Sequence, residues 1–452
     1  ENDCMTANAG PVRQSVFYSV LDYVSQPAMM ILAAPMLLKT LGVQQYGTWM
    51  LVNSIAATAA GLGGGFGDGA TKYVSMYRGN ADRHGAVRSL MAVLVVNCAF
   101  GILSALVLIA CAPWLIGHVF TVEADLRQTG ITALRISAIL LVVRFAEAVF
   151  TSAVRGCERY RPVVTISLIA RTMVIVSAVL LALKGYGLVA ILWATLLFGI
   201  VSLASQSYLA HSVLQATGLW RGVAIAAGIR EVFSFGAYTW LKSTLGVLIG
   251  YGDRLLVGGM LGTGPLAFYT LCNQLTQPIH ALIASAFNFI FPNFSAQSAS
   301  GRWSETRRNY RVAAGVSAAL VVTISLVMIL GSHLILRLWL GAAFAAQYHN
   351  LLVTMIIGNG LLSLSVVPHY AALAFGRSRA LVLVNLAAGI LSMGCGYLLI
   401  QRFGLMGAGM AKIVVGLVFL NLFSVVHRAL KAGDSKRRSE GTAPDSAFHF
   451  AQ

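Results

Sequence analysis

Apolar residues fall along this chain in blocks of the length that crosses a bilayer core, about 20 residues per helix. Twelve such blocks can be marked: 15–38, 44–66, 89–111, 128–153, 163–183, 187–210, 232–258, 265–291, 311–331, 346–370, 380–400 and 404–427. The pattern predicts an all-α integral membrane protein with twelve transmembrane helices. Gly and Pro inside the blocks (Pro27, Pro35, the GLGGGFGDG run at 61–69, Pro278, Pro368) would break soluble helices. In bundled membrane helices neighbouring groups satisfy the freed backbone, so these residues predict kinks, not loops.

The two halves of the pattern repeat each other. Laying Tyr18 on Tyr238 brings Leu21 onto Leu241, Leu41-Gly42 onto Leu261-Gly262, Leu51 onto Leu271 and Asn53 onto Asn273. With a slip of two or three residues the frame continues, so that Arg159 and Arg161 fall on Arg377 and Arg379, and Tyr186-Gly187-Leu188 on Phe403-Gly404-Leu405. A repeat this long predicts two pseudo-symmetric six-helix lobes, a plan common among secondary transporters. One pair differs informatively: Asp22 of the first half is matched by Lys242 of the second.

Composition agrees. The chain is 58% hydrophobic and 10% charged, with mean hydropathy +0.77, which excludes an ordinary soluble protein. Six cysteines are scattered singly with no CxxC spacing and read as small core residues. The net charge of +17 would suggest nucleic acid in a soluble protein; here Lys and Arg report topology instead. They crowd the even-numbered connections and both ends over the odd-numbered connections by about four to one, which places both termini and the even loops in the cytoplasm. The division expected is a lead over 1–14, an N-lobe over 15–215, a linker over 216–231, a C-lobe over 232–430 and a disordered polar tail over 431–452. The first apolar block runs into the polytopic pattern and is read as a span and not as a cleaved signal peptide, with Met5 a candidate natural start.

Nine ionisable residues sit inside the apolar blocks: Asp22, Arg135, Arg144, Glu147, Arg171, Lys242, Asp253, Arg254 and Lys412. Each costs about 2.5–3.5 kcal/mol at a helix centre, so each should face a bundle interior, a wet cavity or another charge. Arg135 and Arg254 are near enough to a helix end to snorkel, and Arg144 and Glu147 have the i,i+3 spacing of a local pair. Arg171, Lys242 and Lys412 are deeper and have no partner on their own helix. Tyr18, Asp22 and Gln26 share one face of the first helix; Tyr238, Lys242 and Asp253 share one face of the seventh. Two readings stand for Asp22 and Lys242: a structural bridge between helices, or a switch in which a basic neighbour or a bound anion controls the acid. Asn53, Asn273, Gln274, Asn359, His369 and Asn385 add polar groups that serve equally as packing glue. No Walker A loop, paired acidic motif or metal-ligand cluster is present in the sequence, and the loops leave no room for a soluble catalytic domain.

The stretch PMLLKTLGVQQYGTWMLVNSIAATAAGLGGGFGDGATKYVS, its echo LLVGGMLGTGPLAFYTLCNQLTQPI and the closing RFGLMGAGMAKIVVG resemble the polysaccharide transporters, or Wzx-type O-antigen flippases. These belong to the multidrug/oligosaccharidyl-lipid/polysaccharide exporter superfamily. The resemblance implies a MATE-like, two-lobed carrier of the bacterial inner membrane and no enzyme. It would move an undecaprenyl-pyrophosphate-linked oligosaccharide outward by alternating access, without a cofactor but with H⁺ or Na⁺ coupling. Its partners would be that cargo, membrane lipids and polysaccharide polymerase machinery, not nucleic acid. A cationic cavity, described for such carriers, agrees with six buried bases against three acids. It assigns Lys242, Arg171, Lys412 and Arg144 to the anion, Asp22 to ion coupling, and Asn53, Asn273, Tyr18, Tyr238 and Trp240 to the glycan. A multidrug exporter would favour acidic groups in its lumen, and a membrane-embedded glycan polymerase or ligase would need long outer loops; both are weaker readings. A lipid II flippase is nearer, but helices beyond twelve are not seen.

Overall fold

The computed structural model describes residues 12–61, 64–80, 82–214, 246–247 and 250–440. Every regular element among them is helical. In chain order these are α1 (Val12–Gly61), α2 (Gly64–Gly79), α3 (Arg83–Trp114) with a π-helical turn at Leu115–Val119, α4 (Ala124–Gly156), α5 (Tyr160–Leu183) and α6 (Leu188–Leu214). There follow α7 over 250–260, α8 (Thr263–Phe287), α9 (Ile290–Ala299), α10 (Trp303–Leu340), α11 (Ala342–Leu364), α12 (Val366–Ala374), α13 (Ser378–Phe403), α14 (Leu405–Phe419) and α15 (Asn421–Glu440).

Eight helical stretches among the described residues are long and apolar enough to cross a membrane, and a ninth is added if α8 and α9, bent by 41°, form one span. The twelve expected segments are therefore not all recovered as separate apolar helices, for physical reasons. Ser25–Gly61 carries two of them, divided at Gly42, whose φ of 77° interrupts the helix. The segment at 128–153 is a helix, α4, but it bears Arg135, Arg144 and Glu147. Most of 232–258 lies outside the described residues. At the other end α15 continues to Glu440, ten residues into the stretch expected to be a polar tail.

One aligned pair of the sequence repeat shares a backbone turn. Gly42 and Gly262, aligned in the repeat, both take positive φ, 77° and 89°. A side chain at either place would meet its own carbonyl in this left-handed region, so only glycine takes it without strain. The same pair of turns therefore ends α1's first helical stretch and precedes α8.

The chain divides into two compact units, Glu1–Leu275 with Ile400–Leu405, and Thr276–Leu399 with Met406–Gln452. In the first, Val74, Leu90, Val93, Val96, Val149, Val154, Ala210 and Leu214 form a buried core. Small residues let these helices approach closely: Gly101 faces the Phe145 side chain, and Gly199 faces Leu140. At the other end Gly47 approaches Thr263 so closely that a Cβ there would lie 1.9 Å from the Thr263 carbonyl oxygen. The Thr263 hydroxyl donates to Gln44 Oε1 at 2.8 Å, and that of Thr121 to the Gly259 carbonyl at 3.1 Å. The start of α8 is thus held to the second stretch of α1, and the end of α7 to the connection before α4. In the second unit Ile283, Phe294, Val321, Val367, Ala371, Phe419 and Leu422 form the core, and Gly358 and Gly416 bring α11 and α14 into backbone contact.

Outward faces are apolar. Leu330 is 77% and Leu338 79% exposed on α10, a waste of burial in water but the normal solvent contact in lipid. Cys98, Cys111, Cys272 and Cys395 are free thiols, as their isolated positions suggest, whereas Cys157 is disulfide-bonded and departs from that reading.

Candidate functional site

The charge that the sequence singles out first is the best connected. Asp22, ten residues into α1, accepts from Arg155 at the end of α4, with Nη2 2.7 Å from Oδ2. Arg171, eleven residues into α5, brings Nη1 to 2.8 Å from Oδ1. That same nitrogen donates to the Asp22 carbonyl at 2.7 Å and to Ser25 Oγ at 3.0 Å. Both hydrogens on Arg171 Nη1 are thereby used, so Oδ1 receives the field of the guanidinium but no proton, and it is a buried acceptor without a hydrogen bond. Arg155 Nε is likewise a buried donor without one. One carboxylate between two guanidiniums leaves the cluster a positive charge in surplus, and it keeps two open hydrogen-bonding atoms. Its side chains are 15% (Asp22), 34% (Arg155) and 26% (Arg171) exposed, so it is sheltered but reachable.

Helix geometry explains why these residues meet. At about 1.5 Å rise per residue, Asp22 and Arg171 each lie about 15 Å from the start of their helices, and an arginine at the last turn of α4 can reach back along its own helix. Sequence reasoning missed Arg155, which lies two residues beyond the apolar block at 128–153, among the connection bases that report topology. It also left Arg171 without a partner, because periodicity places a residue on one helix and is silent about the facing helix.

The other predicted residues are dispersed. Arg144, exposed, pairs with Glu147 at 3.2 Å as the i,i+3 spacing suggests; Glu147, buried, also accepts from Ser202 on α6. That arrangement fastens α4 to α6. Lys412 is half-buried on α14, where its backbone lies against Gly358 of α11. Asn53 is exposed on α1, Asn273 is buried on α8, and Tyr18 is half-buried on α1. Lys242, Tyr238 and Trp240 lie outside the described residues. Asp253 is buried and accepts from Tyr269 Oη at 2.6 Å and from the Arg254 backbone N–H at 2.8 Å. The polar groups read as packing glue include Asn359, which donates to Thr276 Oγ1 at 3.0 Å, and Gln274, which donates to Tyr46 Oη at 3.3 Å. A cavity of about 400 Å³ in the first unit is lined by Gln45, Thr129, Gly187, Leu188 and Trp193 among others, and by none of the predicted site residues.

Known proteins resemble this chain at three levels. Residues 82–349 match a family described as "Polysaccharide biosynthesis protein". A putative O-antigen transporter of Shigella flexneri is 22% identical over 182 residues, which is 40% of this chain and 43% of that protein, so the chain spans under half the length of this relative. Among solved structures, an inward-facing multidrug resistance MATE family transporter of the MOP superfamily is 15% identical, with TM-score 0.68 and coverage of 97% of this chain and 98% of that one. The lipid II flippase MurJ in an inward closed conformation is 13% identical, with TM-score 0.70 over 96% and 94% of the two chains. At such identities the structures speak for the fold alone: an all-α, multi-pass membrane fold of the MOP type.

Proposed function

Since this chain belongs to the polysaccharide biosynthesis protein family, we propose that it is a flippase that moves an undecaprenyl-pyrophosphate-linked oligosaccharide across the bacterial inner membrane for surface polysaccharide assembly. The observation that supports this most is the Asp22–Arg155–Arg171 cluster. Two guanidiniums in a sheltered site match the oxygens of a phosphate, which bind arginine through paired, charge-assisted hydrogen bonds. In the state described here Asp22 holds the place of that anion. An arriving pyrophosphate draws Arg155 and Arg171 from the carboxylate, using Arg155 Nε as a further donor. A released Asp22 takes up a proton or a sodium ion at Oδ1, and so ties cargo binding to an ion gradient.

The remaining assignments are part of the same proposal. Lys242, Lys412 and Arg144 extend the cationic path, and Asn53, Asn273, Tyr18, Tyr238 and Trp240 contact glycan. Two six-helix lobes, with both termini in the cytoplasm, alternate access to the two leaflets. The protein transports without chemical turnover of its cargo and works beside a polysaccharide polymerase. Multidrug export, the role for which the MATE neighbours are named, is disfavoured by the surplus of base at the cluster.

The test is reconstitution in proteoliposomes with a fluorescent lipid-linked oligosaccharide, comparing wild type with Arg171→Ala, Arg155→Ala, the two arginine changes combined, and Asp22→Asn. The arginine variants should lose at least about tenfold in flipping, corresponding to about 1.4 kcal/mol or more of headgroup interaction. Asp22→Asn should flip without responding to an imposed ion gradient. Undiminished flipping by the double arginine variant would remove the cluster from the cargo's path.

A further inference from the structure

The α10–α11 hairpin carries two histidines that the transport reading does not use. His333 stands eight residues before Gly341 and His349 eight after it, so the hairpin brings them side by side. Gly341, at φ 99°, makes the turn between the two antiparallel helices. The two imidazole centroids are 5.9 Å apart with planes at 69°. His333 is exposed and His349 half-buried, so the space beside them is open to small solutes.

Hydrogen bonding fixes the tautomer of His349. Ser332 Oγ lies 3.0 Å from His349 Nδ1 and 2.6 Å from the Ile329 carbonyl. A carbonyl only accepts, so the one hydroxyl proton goes to Ile329 and the contact to His349 requires Nδ1 to carry hydrogen. The lone pair of His349 is then on Nε2, held in direction by its serine. An imidazole oriented through its other nitrogen is how proteins prepare a metal ligand. Spacing agrees: with Zn–N about 2.0–2.1 Å and roughly tetrahedral angles, two imidazoles on one zinc place their centroids roughly 5–6 Å apart.

We propose that His333 and His349 form a two-histidine site for a divalent transition metal of the zinc type, clasping α10 to α11 near their turn. No third His, Cys, Asp or Glu joins them among the described residues, so water or an external anion completes the coordination. Imidazole nitrogens select Zn²⁺, Ni²⁺ or Cu²⁺ over the oxygen-seeking Mg²⁺ and Ca²⁺. Because only two protein ligands contribute, the site exchanges its metal readily, and the bound ion stiffens the hairpin.

The experiment uses the full-length protein in detergent, stripped with chelator and titrated calorimetrically with Zn²⁺, with Co²⁺ as an absorbing probe. Wild type should bind one more Zn²⁺ than the His333→Ala/His349→Ala double variant and show Co²⁺ d–d bands that the variant lacks. Each single variant should weaken that site at least tenfold. Ser332→Ala, which keeps both ligands but frees the tautomer, should weaken it several-fold, and His118→Ala, on the π-helical turn, should leave it unchanged. Zn²⁺ but not Mg²⁺ should raise the thermal midpoint of wild type and not of His333→Ala, an exposed position whose replacement does not threaten folding. Equal stoichiometry and affinity in wild type and double variant, or identical Co²⁺ spectra, would overturn the assignment.

Discussion

Replacing Asp22 by asparagine separates the two things its carboxylate does, holding the helices and occupying the place of an anion. The substitution keeps size and one acceptor oxygen but removes the charge facing Arg155 at 2.7 Å and Arg171 at 2.8 Å. At an effective dielectric of about 20, two unit charges about 4 Å apart attract by about 4 kcal/mol. The arginines are 34% and 26% exposed, and solvent recovers much of this when the carboxylate is lost. A net destabilisation of about 1–3 kcal/mol is expected, short of the 3–5 kcal/mol typical of breaking a fully buried pair. Binding should move the other way. A phosphate no longer has to displace a resident anion, so affinity for the lipid-linked headgroup should rise by roughly tenfold for each 1.4 kcal/mol of competition removed. Denaturant or thermal unfolding of the purified protein measures the first change, and titration with the lipid-linked cargo the second. Lower stability together with weaker binding would refute the competition, because Asp22 would then be shaping the arginines for the cargo. An unchanged protein in both assays would reduce the cluster to a solvated surface trio.

Substitutions at three further positions test the framework around it. Gly47→Ala puts a methyl 1.9 Å from the Thr263 carbonyl oxygen, an overlap that only backbone movement relieves, and should cost about 1–3 kcal/mol in thermal unfolding; a neutral result would mean that the junction of α1 with α8 is loose. Glu147→Gln keeps an acceptor for Ser202 and loses the charge and the hydrogen bond opposite the half-exposed Arg144, so about 1 kcal/mol or less should be lost, whereas Glu147→Ala should cost more because it also removes the acceptor of Ser202. Tyr269→Phe removes the hydroxyl that donates to the buried Asp253 and should destabilise by about 1.5–3 kcal/mol, the worth of a hydrogen bond to a charged group; hydrogen exchange over α7 and α8 should locate the loss there.

Much of the fold was legible because lipid imposes it. Without water to satisfy the backbone, an apolar block of bilayer length must be a helix, and the blocks among the described residues are helical, whereas α2 (Gly64–Gly79) and α9 (Ile290–Ala299) are helices mostly within stretches read as connections. One aligned pair of the repeat, Gly42 and Gly262, turns through positive φ in both halves, whereas of the aligned Gly187 and Gly404 only Gly404 does. The apolar pattern loses resolution where helices carry function. α4 is helical throughout but charged enough to escape an apolar criterion, and its last turn supplies Arg155 to the cluster.

Pairing of charges is a different kind of information, and the sequence carries little of it. The alignment sets Asp22 against Lys242, a relation between equivalent positions in two halves, and it invites the inference that equivalent positions touch. Among the described residues Asp22 is held by two bases from α4 and α5 of its own unit, while Lys242 lies outside them. Helical period fixes the angle of a side chain about one axis; which neighbour faces it depends on crossing angles and on small residues such as Gly101 and Gly199 that let helices approach. The same local matching pairs Arg144 with Glu147, which spacing could foresee because both lie on one helix. Counting buried bases against acids therefore overstates how much positive charge is left for a cargo. What bears on transport is the imbalance within each cluster and the atoms it leaves without partners, and by that measure Arg155 Nε and Asp22 Oδ1 weigh more than the chain-wide surplus.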